Sequence, residues 1–230
     1  MGLVLGPIHH WQFNKIKIAE AREMALTGVL KREFGSDAGE ILQPVYMKFP
    51  QTDFTKASLE ELIREKALHP GIVGLINTIE TREAAIITAF VAEFGKKAVD
   101  VINISASEHG MNYGKLAARE KHLDSSTCTT VKVFELLGDY HLDGMPCDRG
   151  TQVVTESAEN TSWDHIECVH KKNWDKAGAS FTILCNYVNS WIAGFGKGID
   201  PAINYQLERT IAGGSEDCLH KYEFEIIREC

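Results

Sequence analysis

Two stretches of the chain place a thiol and an imidazole two residues apart: Cys168-Val169-His170 and Cys218-Leu219-His220. Both fall in segments that read as β-strand, where residues i and i+2 point to one face. Each pair then projects a sulfur and a ring nitrogen side by side. If the two strands share a sheet, Cys168, His170, Cys218 and His220 converge on one patch. Such a patch suits a zinc or other divalent metal site, with ligand distances of roughly 2.0–2.3 Å. It also suits an activated thiol or a metal-free pocket with acid–base histidines. Core packing of the cysteines, with hydrogen-bonded histidines, is the plainer alternative. The Cys-x2-Cys spacing of many structural zinc sites is absent.

Parity within the last strand favours a buried Cys-x-His face. Cys218, His220, Tyr222, Phe224 and Ile226 alternate with the charged Lys221, Glu223 and Glu225, which belong in water. Tyr222 therefore joins the candidate site at its edge. Cys147 is a further candidate, in the turn-rich segment Asp143-Gly144-Met145-Pro146-Cys147-Asp148. Its neighbouring carboxylates disfavour a thiolate. His9-His10-Trp11 reads as a surface or interface feature, and Glu108-His109 as a solvated pair.

The elements that must position these residues change character along the chain. The first two thirds carry helical spacing. Trp11, Ile16, Ile18, Met24, Ala25, Val29 and Leu30 predict an amphipathic helix after Pro7 that ends near Gly35. A helix from Ser58 is expected to stop at His69-Pro70-Gly71, and a second long helix to run from about Leu75 to Phe94. The two long helices share a pattern. Glu20, Arg22, Glu23, Ala25, Glu33, Phe34 and Gly35 recur sixty positions later, as Glu80, Arg82, Glu83, Ala85, Glu93, Phe94 and Gly95. This is either a likeness of composition or a duplicated helical hairpin. A third helix follows Gly95, and its Gly110 and Gly114 would admit another helix at close range. A fourth covers about Thr127 to Asp139.

After Gly150 the period becomes two. Strands are predicted over Thr151 to Glu156, Asp164 to His170, Asn204 to Ile211 and Cys218 to Ile227, with a helix over Lys176 to Phe195. The fold class is α+β: a helical layer on an antiparallel sheet of four or more strands formed by the C-terminal third. Residues 1–74 form an N-terminal helical segment and a candidate dimerisation element. Residues 75–230 form the ligand-binding or catalytic domain.

Composition bounds the partners. A chain of 230 residues with net charge -8 and no basic cluster larger than Lys171-Lys172 argues against nucleic acid. No apolar run approaches the roughly 20 residues of a membrane helix. The N-terminus lacks the basic region of a secretory signal. A cytoplasmic protein is expected, its six cysteines read as thiols and its association as a homodimer.

The C-terminal two thirds also resemble a known family. The segment ending in Glu167-Cys168, the long helix, Asn204-Tyr205, the run Thr210-Ile-Ala-Gly-Gly-Ser-Glu-Asp-Cys218 and the aromatic last strand are similar to the L-2-amino-thiazoline-4-carboxylate hydrolase family. In outline that family is similar to 4-vinyl reductase-type ligand-binding domains. The resemblance implies hydrolysis of a small cyclic amidine to an N-carbamoyl amino acid. His170 or His220 would be base and acid, or a metal on Cys168 and Cys218 would supply hydroxide. Arg149 or Arg209 would hold a substrate carboxylate. Where such proteins carry Cys-Pro, this chain has Cys168-Val169-His170. A non-catalytic sensor or carrier of a small ligand, and a purely structural dimerisation domain, are the alternatives from other classes.

Overall fold

The structure is a computed structural model that describes residues 6–63, 67–148 and 151–225. In chain order its helices and strands begin with α1 (Pro7–Phe34), α2 (Ser36–Lys48), α3 (Leu59–Leu62), α4 (Leu68–Phe94), α5 (Lys96–Glu120) and α6 (Thr130–Tyr140). Two strands follow, β1 (Thr151–Glu156) and β2 (Asn160–His165), then α7 (Lys171–Ala177) and α8 (Phe181–Ile199). Strands β3 (Ile203–Arg209) and β4 (Cys218–Phe224) complete the fold. The α+β class is as expected: helices accompany one antiparallel sheet in the C-terminal part, whose strand order is β1-β2-β4-β3. No described helix is long and apolar enough to cross a membrane.

Two local expectations are corrected. His69-Pro70-Gly71 does not stop a helix; it lies in the first turn of α4. Proline is tolerated there because the first N–H groups of a helix have no intrahelical acceptor. The strand expected over Asp164 to His170 ends at His165. There β2 loses both neighbours at once, since His165 pairs with Thr151 of β1 and with Cys218 of β4. Among the described residues, none pairs with the chain beyond it. The chain turns, and His170 becomes the N-cap of α7 with φ -83 and ψ -24.

The chain separates into two compact units. One comprises Met1–Ile102, Asp139–Pro146 and His170–Leu184. Its apolar core gathers Phe13, Ile16 and Ala19 of α1, Phe54, Leu59, Ile72, Ile76 and Ile79, and Leu142. Beside that core, the α1–α4 interface is ionic. Arg22 donates to Glu83 at 2.9 and 2.6 Å, and Arg82 donates to both oxygens of Glu23 at 2.9 and 2.8 Å. These are the repeated residues, paired reciprocally. The repeat extends to the helix ends: Phe34 stacks on Phe94 at 4.0 Å, and Gly35 and Gly95 share nearly the same left-handed turn (φ 59, ψ -131 and φ 55, ψ -131). The structure therefore favours a duplicated helical hairpin, α1–α2 and α4–α5, over a likeness of composition. The expected apolar stripe of α1 is only half right. Ile16 and Leu30 are buried, but Met24 is 65% exposed, and the buried face also carries Gln12, Lys15, Glu20, Arg22 and Glu23.

The other unit comprises Asn103–Gly138, Cys147–Val169 and Cys185–Cys230. Here the second half of α8 covers the sheet, and the buried Tyr222 of β4 donates to the Ile192 carbonyl at 2.7 Å. The second half of α5 meets α8 backbone to backbone. A Cβ on Gly110 would lie 2.2 Å from the Trp191 carbonyl oxygen, one on Gly114 2.1 Å from that of Phe195, and one on Gly194 2.1 Å from that of Ser107. These glycines exist so that two helices can touch. Gly194→Ala is expected to destabilise the fold by roughly 2–3 kcal/mol in urea denaturation, because the helices must part. Gly138→Ala in α6, where an added Cβ meets nothing within 4 Å, is expected to be neutral or stabilising by up to about 1 kcal/mol.

Candidate metal centre

Three side chains of the first unit bring ligand atoms within 4.8 Å of one another: His141, Asp143 and His170. His141 and Asp143 sit on the segment that follows α6, two residues apart. Between them Leu142 is buried in the apolar core, which anchors the segment. On its N-terminal side Asp139 accepts from Trp11 Nε1 at 2.9 Å, and on its C-terminal side the Gly144 carbonyl accepts from Gln12 Nε2 at 2.6 Å. One turn of α1 thus clamps the loop at both ends.

His170 is oriented by the repeat. Its Nδ1 lies 2.8 Å from Glu80 Oε1, and Asn173 Nδ2 donates to the other oxygen of Glu80 at 2.6 Å. The ring stacks on Trp174 at 5.2 Å. With Nδ1 engaged by a carboxylate, Nε2 is the nitrogen left for a ligand, and it lies 3.7 Å from Asp143 Oδ1. Two atoms on one tetrahedral ion at about 2.1 Å are about 3.4 Å apart. A carboxylate behind a ligating imidazole is the usual outer partner of such sites.

The electrostatics divide the two histidines. Burial drives the His141 pKa well below its ordinary value, with Asp143 opposing and His170, Arg22 and Lys15 adding to the fall. His141 is therefore neutral, as a metal ligand must be. Burial also acts to lower His170, but Glu80 and then Asp143 override it and hold the pKa above its ordinary value. Among the buried ions nearby, burial pushes the Glu23 carboxyl up to about 7 against the pull of Arg82. Lys15, only 4% exposed, falls to about 8 through burial, with Asp143 and Asp139 opposing.

The four residues expected to converge do not form one sheet face. His170 left the strand and joined the first unit, while Cys168, Cys218 and His220 belong to the second. The expectation for β4 holds in its parity, for His220 and Tyr222 are the buried positions. Tyr222 is a core residue, packed on Trp163 and Tyr205 at 5.1 and 5.6 Å. His220 belongs to a hydrogen-bonded chain. Thr151 Oγ1 meets His165 Nε2 at 2.9 Å, His165 Nδ1 meets His220 Nε2 at 3.1 Å, and His220 Nδ1 meets the Tyr205 hydroxyl at 2.7 Å. Tyr205 donates to Asn189, whose amide donates to the Cys185 carbonyl at 2.7 Å and thiol at 3.3 Å. Cys218 Sγ accepts from the Ile211 N–H at 3.3 Å. Burial pushes the Cys185 thiol up to about 12, with Cys218 and Cys168 adding, so Cys185 carries its proton at neutral pH.

The remaining candidates fall elsewhere. Arg209 is engaged by Asp217 at 2.5 and 2.7 Å. Cys147 is exposed. Arg149 lies outside the described residues. His9 accepts from the Gly6 N–H at 2.9 Å, at the start of α1. His109 is buried, not solvated, and accepts from Trp191 Nε1 at 2.9 Å. Sequence reasoning missed His141, Asp143 and Glu80 as partners of His170. The available signals were the His-x-Asp spacing at 141–143 and the polar residues repeated on two otherwise apolar helices.

No family model matches the chain, and no curated protein and no solved structure matches it. The class defined by fold and site is an α+β protein with a two-histidine, one-carboxylate cluster held by a duplicated helical hairpin.

The position of Lys15 generates a stability prediction. Its folded pKa of about 8 lies below the ordinary 10.5, so the folded state resists the charged form. That penalty is full below pH 8 and is relieved as pH rises from 8 to 10.5. Lys15→Met is therefore expected to be more stable than the parent by roughly 2–3 kcal/mol at pH 7. The gap should close near pH 10.5 in paired urea titrations.

Proposed function

We propose that the chain is a metal-dependent hydrolase of a small cyclic amidine of the thiazoline type, giving an N-carbamoyl amino acid. The observation that carries the reading is the cluster of His141, Asp143 and His170 within 4.8 Å, with Glu80 behind His170. Two imidazoles and one carboxylate leave a position of a zinc-like ion for water, the arrangement of catalytic rather than structural zinc. Zinc held there would lower the pKa of that water to about 7 and so supply hydroxide at neutral pH. The hydroxide would add to the amidine carbon, C2; the C2–S bond would break, the sulfur would take the proton lost by the water, and the remaining hydroxyl proton would pass to the ring nitrogen as the carbamoyl carbonyl forms. The resemblance of residues 75–227 to the thiazoline carboxylate hydrolases supports this substrate class; the cluster supports the metal.

The cysteine pairs leave the mechanism in this reading. Cys168, Cys218 and His220 belong to the second unit with its protonated Cys185, and only His170 keeps a ligand role.

Elemental analysis of the purified protein is expected to give about one zinc per chain, with turnover of L-2-amino-thiazoline-4-carboxylate. His141→Ala should abolish both and leave the far-ultraviolet circular dichroism unchanged. Cys218→Ser should abolish neither. Metal without turnover would support the sensor or carrier instead. Iron in place of zinc would point to the oxygen chemistry of two-histidine, one-carboxylate sites. Metal loss in Cys218→Ser but not in His141→Ala would overturn the assignment.

A further inference from the structure

We propose that Lys15 selects an anionic substrate for this centre: its ammonium pairs with a carboxylate of the molecule whose reacting carbon faces His141, Asp143 and His170. The inference rests on the hydrolase reading and names the residue that reads the substrate.

Three observations carry it. First, Lys15 is held where the site is. It lies four residues after Trp11 and three after Gln12, so all three share one face of α1. Trp11 and Gln12 make the two hydrogen bonds that clamp the His141–Asp143 segment. The Lys15 Nζ sits 3.7 Å from the Trp11 ring centroid, a cation–π contact that fixes the end of the side chain.

Second, the amine is buried and has no carboxylate within ion-pair distance, though Asp143 and Asp139 act on it from farther off. The other two buried cations of this unit, Arg22 and Arg82, are each engaged by two glutamate hydrogen bonds. Among the described residues no carboxylate makes an ion pair or hydrogen bond with Lys15, although it is only 4% exposed. A buried ammonium without a paired anion is costly, and an anionic ligand removes that cost on binding.

Third, the charge fits one class of ligand. A single ammonium suits a monoanion such as a carboxylate. A phosphate near charge -2 would ask for a second cation, and both guanidiniums are occupied. Arg209, the cation expected from the sequence, is held by Asp217 in the other unit.

The test compares full-length parent, Lys15→Met and Lys15→Arg on two compounds: L-2-amino-thiazoline-4-carboxylate and 2-amino-thiazoline, which lacks the carboxylate. Turnover gives the ratio of kcat/KM for the two compounds, and calorimetric titration gives the ratio of their affinities. Lys15→Met is expected to lower both preferences for the carboxylate by roughly 10- to 100-fold, the loss of one charge-assisted pair. Lys15→Arg should restore part of each. Metal per chain should stay as in the parent, which separates loss of recognition from loss of the centre. Equal losses on the two compounds, an unchanged ratio, or a fall in kcat alone would overturn the assignment. If the parent holds metal but turns over neither compound, the hydrolase reading fails and the calorimetric ratio still decides the role of Lys15. A parent that binds neither compound overturns both. Should Lys15→Met fail to fold, Lys15→Gln makes the same comparison.

Discussion

The first unit depends on a crossed pair of buried ion pairs. Arg22 reaches from α1 to Glu83 of α4, and Arg82 reaches back to Glu23, each through two hydrogen bonds. All four side chains are nearly inaccessible to water. Such pairs rarely stabilise more than a well-packed apolar contact would, because desolvation offsets the attraction. What they impose is register. Slide either helix by one residue and two guanidiniums and two carboxylates lose their partners together, at several kcal/mol for each stranded charge. The crossed pairs therefore fix where Glu20 and Glu80 stand, three residues before each partner glutamate.

Those two glutamates are equivalent by the repeat and different in use. Glu20 accepts from the Thr52 hydroxyl and the Phe54 N–H, both at 2.7 Å, and so closes a loop onto the helix pair. Glu80 accepts from Asn173 and holds His170. One copy has become a structural cap, the other the outer support of an imidazole. A duplicated hairpin gives this freedom, since either copy can retain the register while the other is recruited.

Much of this was legible in the sequence, and what was not has physical causes. The α+β class followed from the change of period after Gly150, and β1, β3 and β4 from alternation. The repeat was visible in seven matched residues, and the close helix approach in Gly110 and Gly114. The candidate site was legible only in His170. Its strand assignment failed because a strand is defined by its neighbours: β4 keeps its parity between β2 and β3, whereas no described residue pairs with the chain after His165 to keep it extended. The partners of His170 come from positions 80, 141 and 143, distances no spacing rule covers. The polar face of α1 escaped because apolar periodicity is blind to charges that pair inside a core.

The buried charge of the first unit is unbalanced around His170. Four buried glutamates, at 20, 23, 80 and 83, face two buried arginines and Lys15, and Asp143 adds a further half-buried carboxylate. Positive charge is short by about two. The protein without metal can make up part of the deficit with protons, and the raised pKa values of Glu23 and His170 have that sense. A divalent ion at His141, Asp143 and His170 would make up all of it with one species, where neutral His141 and the Nε2 edge of His170 present nitrogen. The helix pair whose ion pairs set its register thus also carries a surplus of buried negative charge beside the cluster.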